Sequence, residues 1–420
     1  MAFLRRFWQR DGGDQLAACT ALDVGTEFAK ALVLEIDEHN HGTVRGVGRK
    51  RQGLAHMQSG TVADIGAVVD NCAIALQDAE EMAGFRPSQV VIGIAGELVK
   101  GFTTTHTQER RKPETPITDG ELQKLIDGVQ REALAEAERS ITWETGLPNV
   151  DVRLVHAAVT AASIDGYAVT NPVGFRGRHV KIGIFNAFAP LVHLGALESV
   201  AAELDLALLE IVAEPYAVAR VIGSEQVRQA GALFVDIGGG TTDVALVRHG
   251  GIEGTRMFAL AGRAFTKSLS DRLDLPFPRA EELKIDYARG LEVERRDEIA
   301  AIVADDVAVW AAGMELVLDE LSGGDLLPSR IYLCGGGSRL PETLSALRQD
   351  AFWRRLPFSH SPEVAVMSPE MVESITDTTQ LLVDQQDVTP LGLANQAIAL
   401  QVEQDPLDVA LRRVLRAMKL

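Results

Sequence analysis

Cysteine is scarce: Cys19, Cys72 and Cys334 are the only three in 420 residues, odd in number and far apart. That excludes a disulfide scaffold, and no CxxC or comparable spacing offers a cysteine metal site, so reduced thiols in a reducing compartment are expected. No stretch approaches the ~18 apolar residues of a membrane-spanning helix. Asp11-Gly12-Gly13-Asp14 stands where a signal peptide would need its apolar stretch, so a cytoplasmic protein is expected. There is no GxxxxGK[ST], and no GxGxxG opening a helix, which sets aside P-loop and dinucleotide folds. Basic residues are in deficit, 41 Lys+Arg against 59 Asp+Glu, for a formal net charge of −18. A general nucleic-acid binder is thereby excluded, because polyphosphate repels an acidic surface.

What remains is ordinary globular composition, 46% apolar and 24% charged. At ~100–200 residues per domain the chain holds two to four compact units. The two ends depart from the acidic body. Residues 1–10 carry +3 through Arg5, Arg6 and Arg10, and residues 407–420 carry +3 through Arg412, Arg413, Arg416 and Lys419 against Asp408.

Two apolar runs, Ala21–Val33 and Leu233–Val247, are interrupted at the same relative place. Asp23 aligns with Asp236 and Gly25 with Gly238, at an offset of 213 residues. Each reads as a strand, a glycine turn and a second strand. A repeat at half the chain length predicts two lobes of related architecture rather than a solenoid. Between the hairpins, helical spacing predicts a helix over Val62–Met82, and Val90–Ile94 reads as a strand. Thr103–Pro116 has no apolar period and is expected to be an exposed loop, with Arg110-Arg111-Lys112 at its solvated tip. Thr118 and Glu121 form a capping-box pattern opening a helix to about Arg139. Val152–Tyr167, Val180–Phe188 and Ile331–Leu333 read as strands. Pro190–Leu204, Glu214–Ile222, Gly262–Leu273, Arg279–Ala288 and Asp297–Leu321 read as helices. Alternating strands and helices indicate an α/β protein.

The chemistry gathers at glycine-rich turns. In Asp236-Ile-Gly238-Gly239-Gly240-Thr241-Thr242-Asp243 the glycines let backbone N–H groups converge on an anion, and the two threonine hydroxyls can donate to phosphate oxygens. Asp236, at the strand end, is placed to hold a water of a hydrated Mg²⁺. Asp23-Val24-Gly25-Thr26 repeats the arrangement, and Gly335-Gly336-Gly337-Ser338 adds a third turn after a strand. One such turn alone is usually an ordinary tight turn; three, two of them duplicated with an acid at the same place, point to phosphate binding.

This ordered set, together with Glu214-Pro215-x-Ala217, resembles the two phosphate loops, connecting helix and adenosine loop of the actin-like ATPases, over roughly residues 19–400. The resemblance implies a two-lobed actin-like fold, duplicated and ribonuclease-H-like, with ATP and Mg²⁺ in the cleft. By it Asp23 and Asp236 flank the hydrated metal, and Gly25, Thr26 and Gly238–Thr242 face the phosphates. Gly262 lies near the nucleotide, Glu281 and Lys284 contact the adenosine, and Gly335–Ser338 with Arg339 pack on it. Glu214 falls where the family polarises the attacking water, although an acid at a helix start equally complements the helix dipole.

Within the superfamily the chain is most similar to the bacterial cell-division family FtsA, which carries an inserted subdomain in the first lobe. Residues 88–170 resemble that insert, and Thr170–Gly177 resembles the NPxGxxG element after it. The implied division is 1–18 as a basic amphipathic segment, 19–87 and 171–222 as the first lobe, and 88–170 as the insert. Residues 223–400 form the second lobe, with 271–328 its outer subdomain, and 401–420 a basic amphipathic helix. Glu27 and Phe28 depart from the family's polar and basic residues, and an acid at position 27 is expected to repel the γ-phosphate and slow turnover. Lys30 instead resembles the first loop of the pilus-assembly family PilM.

At the C-terminus, Leu407, Ala410, Leu411, Val414, Leu415 and Met418 share one helical face bordered by Arg412, Arg413, Arg416 and Lys419. Such a helix is expected to lie on an anionic membrane surface, as is Phe3, Leu4, Phe7 and Trp8 with its arginines. The alternative is a terminal helix docked on the protein itself. The expected role is an FtsA-like, filament-forming tether recruiting the tubulin-like protein FtsZ at the inner face of the membrane. A PilM-like cytoplasmic adaptor for a pilus or secretion machine is the second reading, and a phosphotransferase or chaperone of the same fold the third.

Overall fold

The computed structural model describes residues 17–147, 150–222, 225–248, 250–401, 407 and 410–411. Phe3, Phe7, Trp8, Arg412, Arg413, Val414, Leu415, Arg416 and Met418, all expected at a membrane, lie outside the described residues. Among the described residues no helix is long and apolar enough to cross a membrane.

Both expected hairpins are present, and their registers set out the rest. Ala17–Val24 pairs with Phe28–Ile36 so that Asp23 faces Lys30, and Ala232–Ile237 pairs with Thr242–Arg248 so that Asp236 faces Asp243. The first hairpin lies at the centre of a six-stranded sheet. In spatial order its strands are Ala207–Ala213, Gln89–Ile94, Ala17–Val24, Phe28–Ile36, Gly42–Arg51 and Ile375–Asp377. The helix Ile65–Ala83, capped by Asp64 and ended by left-handed Gly84, lies on this sheet. It approaches so closely that a Cβ on Gly46 or Gly48 would stand 1.8 or 1.7 Å from the carbonyl oxygens of Ala79 and Ala75. Glycine at those two positions is a packing requirement.

The second hairpin belongs to a nine-stranded sheet. Its order is Glu363–Val366, Arg330–Cys334, Ala232–Ile237, Thr242–Arg248, Gly251–Phe258, Lys100–Glu109, His179–Pro190, Val152–Ile164 and Tyr167–Ala168. Helices Gly262–Leu273, Phe277–Ala288 and Arg296–Ser322 cover its first part around buried Trp310, Phe265 and Leu333. The helix Asp119–Thr145 covers its last strands, opened by the Thr118–Glu121 capping box. A short ladder, Gly254 opposite Phe102 and Thr255 opposite Gly101, joins the two parts.

Three expectations are corrected here. Thr103–Pro116 is a strand as far as Glu109, because Thr103, Thr105 and Thr107 are β-branched residues that pair along His179–Pro190. Arg110 is buried at 7% exposure rather than solvated. Its guanidinium donates to Thr115 O, Gly177 O and Glu121, tying the loop to the helix start. The insert's borders also move: Gln89–Ile94 is an interior strand of the first-lobe sheet, whereas His179–Pro190, assigned to the first lobe, runs between two insert strands. Hydrophobicity alone does not tell which sheet a buried strand joins.

Leu411, expected to face lipid, is 2% exposed and packs with Leu407 against Ile117, Leu122 and Ile126 of the insert. An apolar pair four residues apart has found an apolar protein face.

Candidate functional site

The two hairpin turns meet at one cleft between the lobes. Asp23, Gly25 and Thr26 line it from the first lobe; Asp236, Gly238, Gly239, Thr241 and Gly262 line it from the second. Each turn is closed by its own backbone, Gly25 N–H donating to Phe28 O at 3.1 Å and Gly238 N–H to Thr241 O at 2.9 Å. Gly335, at φ 80°, comes so close to the second turn that a Cβ would lie 2.0 Å from Asp236 Oδ1. Only glycine fits there, and it brings Gly336, Gly337 and Arg339 to the cleft wall. On the facing helix Phe277–Ala288, Glu281 and Lys284 form a buried ion pair at 2.9 Å, with Lys284 also donating to Gly262 O at 2.8 Å. That places a polar pair beside an apolar wall of Ile285, Ala288 and Leu340.

Three expected ligand residues are turned away. Thr242 is fully buried; its hydroxyl donates to Leu260 O at 2.8 Å and accepts from the Trp310 indole at 3.0 Å. Ser338 donates to Gly335 O at 2.7 Å and so stabilises its own turn. Gly240 lies against Thr26, whose Oγ1 would be 2.8 Å from a Cβ there, on the outer side of the turn. In a hairpin, alternate residues face opposite sides, and this alternation sends Thr241 to the cleft and Thr242 to the core.

Several cleft residues were missed. Lys30 Nζ donates to Asp23 at 2.9 Å and to Gln386 O at 3.0 Å. Burial disfavours its charge, but Asp23, with Asp236 and Asp387 beyond it, outweighs that and holds the ammonium above its ordinary range. Thr389 donates to Asp236, and Asp384 pairs with Arg339. Residues 384–389 therefore form the cleft floor, although their sequence carries no recognisable motif. Asp243 also lines the cleft, with Thr241 Oγ1 donating to its Oδ2 at 2.9 Å.

Asp243, Asp236 and Glu214 share this space, and burial is the first cause of the shift in each. Asp243 is pushed up to about 8 by burial and then by the charge of Asp236. Burial also raises Asp236, against the opposing hydrogen bond from Thr389. Glu214, first residue of the helix Glu214–Ala219, is raised well above its ordinary value by burial and then by Asp23, Asp243 and Asp236. A carboxyl so tuned suits a base for a water molecule. The donors fit a hydrated divalent cation held through water. Asp243 Oδ1 is buried without a hydrogen-bond partner, yet among the described residues no three acids, histidines or cysteines stand ready to ligate an ion directly.

Glu27 also lines the cleft, but its charge is engaged. Arg263 donates to it from the second lobe and Arg51 lies 3.4 Å away. The expected repulsion of a phosphate by a free acid at this position therefore loses its basis.

The family model "Cell division protein FtsA" matches residues 233–376, the second hairpin through the last strand of the first sheet. FtsA of Pseudomonas aeruginosa is 26% identical over 382 residues, covering 86% of this chain and 85% of that protein. The chain is similar to FtsA over most of its length. FtsA of Streptococcus pneumoniae is 23% identical over 376 residues, covering 85% of this chain and 78% of its own. Among solved structures, a chain of the "PilM-PilN type IV pilus biogenesis complex" superposes with a TM-score of 0.61 at 19% identity, covering 90% of this chain and 98% of that one. The fold is the two-lobed actin-like fold, in α/β form with an insert between the Gln89–Ile94 strand and the Leu191–Glu203 helix.

Proposed function

We propose that the cleft binds ATP with Mg²⁺ and that this FtsA relative uses it to set the geometry of its lobes for assembly at a membrane in cell division. The observation that carries the reading is the facing pair of acid-bearing turns. Asp23 and Asp236 enter one cleft from opposite lobes, beside a glycine turn and a Glu281–Lys284 pair fit for an adenosine. Asp23 and Asp236 would hold the hydrated ion, whose chemistry is to neutralise phosphate charge. Lys30, on Asp23, holds that carboxylate in place. Backbone N–H groups of the Gly238–Thr241 turn would meet phosphate oxygens, and Arg339 with Leu340 the base. Glu214 would orient a water and, when ionised, take its proton.

The partners in this reading are a tubulin-like division protein of the FtsZ type, further copies of the chain in a filament, and an anionic membrane surface. Residues 1–10 and 412–420 are the proposed attachment, from the cytoplasmic side. A PilM-like adaptor role has two observations in its favour, the likeness of fold with a PilM–PilN chain and Lys30 in the strand after the first turn. In-cell crosslinking of the tagged chain separates the two. Recovery of the tubulin-like division protein supports the division role, and recovery of an inner-membrane pilus protein in its place overturns it.

A further inference from the structure

We infer that Arg263 and Glu27 form a clasp between the lobes that gates entry and exit of the nucleotide; the inference rests on the cleft being the nucleotide site. Arg263 is the second residue of the helix Gly262–Leu273, and its own N–H donates to Gly239 O at 2.7 Å within the second lobe. Its side-chain hydrogen bonds all cross the cleft. Nε donates to Glu27, Nη2 to Thr26 O at 2.7 Å, and Nη1 to Leu54 O at 3.1 Å and Met57 O at 3.0 Å. Four of the five guanidinium N–H groups are thus satisfied by the other lobe.

Glu27 is fixed from behind, its carbonyl accepting from Gln52 N–H at 2.8 Å and its second carboxylate oxygen lying 3.4 Å from Arg51. Both clasp side chains are 17% exposed, so the pair is shielded more than a surface ion pair yet remains within reach of water. The two phosphate turns touch beneath it. A Cβ on Gly239 would stand 2.6 Å from Glu27 Cγ, and one on Gly240 would stand 2.8 Å from Thr26 Oγ1.

The cleft floor, where Lys30 meets Gln386 and Thr389 meets Asp236, joins the lobes on one side. The clasp joins them on the phosphate side. In this inference a nucleoside triphosphate enters and leaves as the turns part, and parting them breaks all four Arg263 bonds. The acid at position 27 serves as the catch of this gate.

Stopped-flow kinetics with a fluorescent ATP analogue and Mg²⁺ test this. In Arg263→Ala, association and dissociation should both accelerate at least tenfold, with Kd changing less than threefold. Glu27→Gln keeps the carbonyl bonds and loses the charge, so it should give an intermediate acceleration, and Arg263→Lys one between it and Arg263→Ala. A residue that served only local packing would weaken binding or folding without moving both rates together. Unchanged rates in all three variants overturn the clasp, as does a faster dissociation with unchanged association. Amide hydrogen exchange in the nucleotide-free protein answers independently of any nucleotide. Protection at residues 26–28 and 54–57 should fall in Arg263→Ala and Glu27→Gln, and equal protection overturns the clasp even if the wild type binds no nucleotide.

Discussion

Asp243 offers a direct way to read the electrostatics of the cleft. It is buried, receives one hydrogen bond from Thr241, has one oxygen without a partner, and sits opposite Asp236 in the hairpin register. Its folded-state pKa of about 8 lies above the ordinary 3.8. Between those values the folded chain keeps a proton that the unfolded chain has lost. Stability from this group is therefore complete below about pH 4 and is lost as pH rises through 8. The slope is at most ~1.4 kcal/mol per pH unit, so from pH 5.5 to 8 the second lobe should lose up to about 3 kcal/mol. Asp243→Asn cannot titrate and should flatten that slope, whatever constant offset its amide introduces. Trp310 reports on the right place, because it is buried and donates to Thr242, next to Asp243. Urea unfolding followed by Trp310 fluorescence, with the other three tryptophans replaced by phenylalanine and with nucleotide and Mg²⁺ left out, gives the comparison. Parallel pH profiles for the wild type and Asp243→Asn would refute the assignment of a buried, proton-holding acid.

Gly48→Ala should destabilise the first lobe by about 2–4 kcal/mol in denaturant unfolding, since its Cβ would overlap the Ala75 carbonyl and only a backbone shift can relieve it. Glu214→Gln should leave ATP affinity within threefold and lower the single-turnover hydrolysis rate at least tenfold; an unchanged rate removes Glu214 as the base. Leu411→Asn should destabilise the insert by about 2–3 kcal/mol and loosen amide protection across 117–129, because Leu411 is buried against that helix. Vesicle binding that falls with no change in insert protection would return this residue to the membrane face.

The sequence made the duplicated hairpins legible because each couples a local period to a glycine turn and an acid at a fixed place. Asp23 and Asp236 could be found from that alone. The capped helix at Thr118 was legible for the same reason, since a cap is a local interaction. Pairing between distant segments was not. Thr103–Glu109 looked like a loop until His179–Pro190 supplied its partner, and Gln89–Ile94 looked like part of the insert until its neighbours were Ala17–Val24 and Ala207–Ala213. Residues 384–389 carry no motif because they serve by position: Gln386 offers a carbonyl and Thr389 a hydroxyl, groups that many residue types provide. Thr242 and Ser338 were misread because a motif names residues and does not say which way alternate side chains point. Glu27 was read as a charge facing phosphate when its partner, Arg263, lies 236 residues away.

The central claim is that the cleft between the two acid-bearing turns binds ATP with Mg²⁺. Isothermal titration calorimetry with the full chain, in the presence of Mg²⁺, tests it on wild type and Asp236→Ala, with circular dichroism confirming that both are folded. The account predicts saturable binding to the wild type, lost or weakened at least tenfold in Asp236→Ala, with the wild-type affinity falling when Mg²⁺ is chelated. No heat of binding to the folded wild type, or equal affinity in Asp236→Ala, would contradict it.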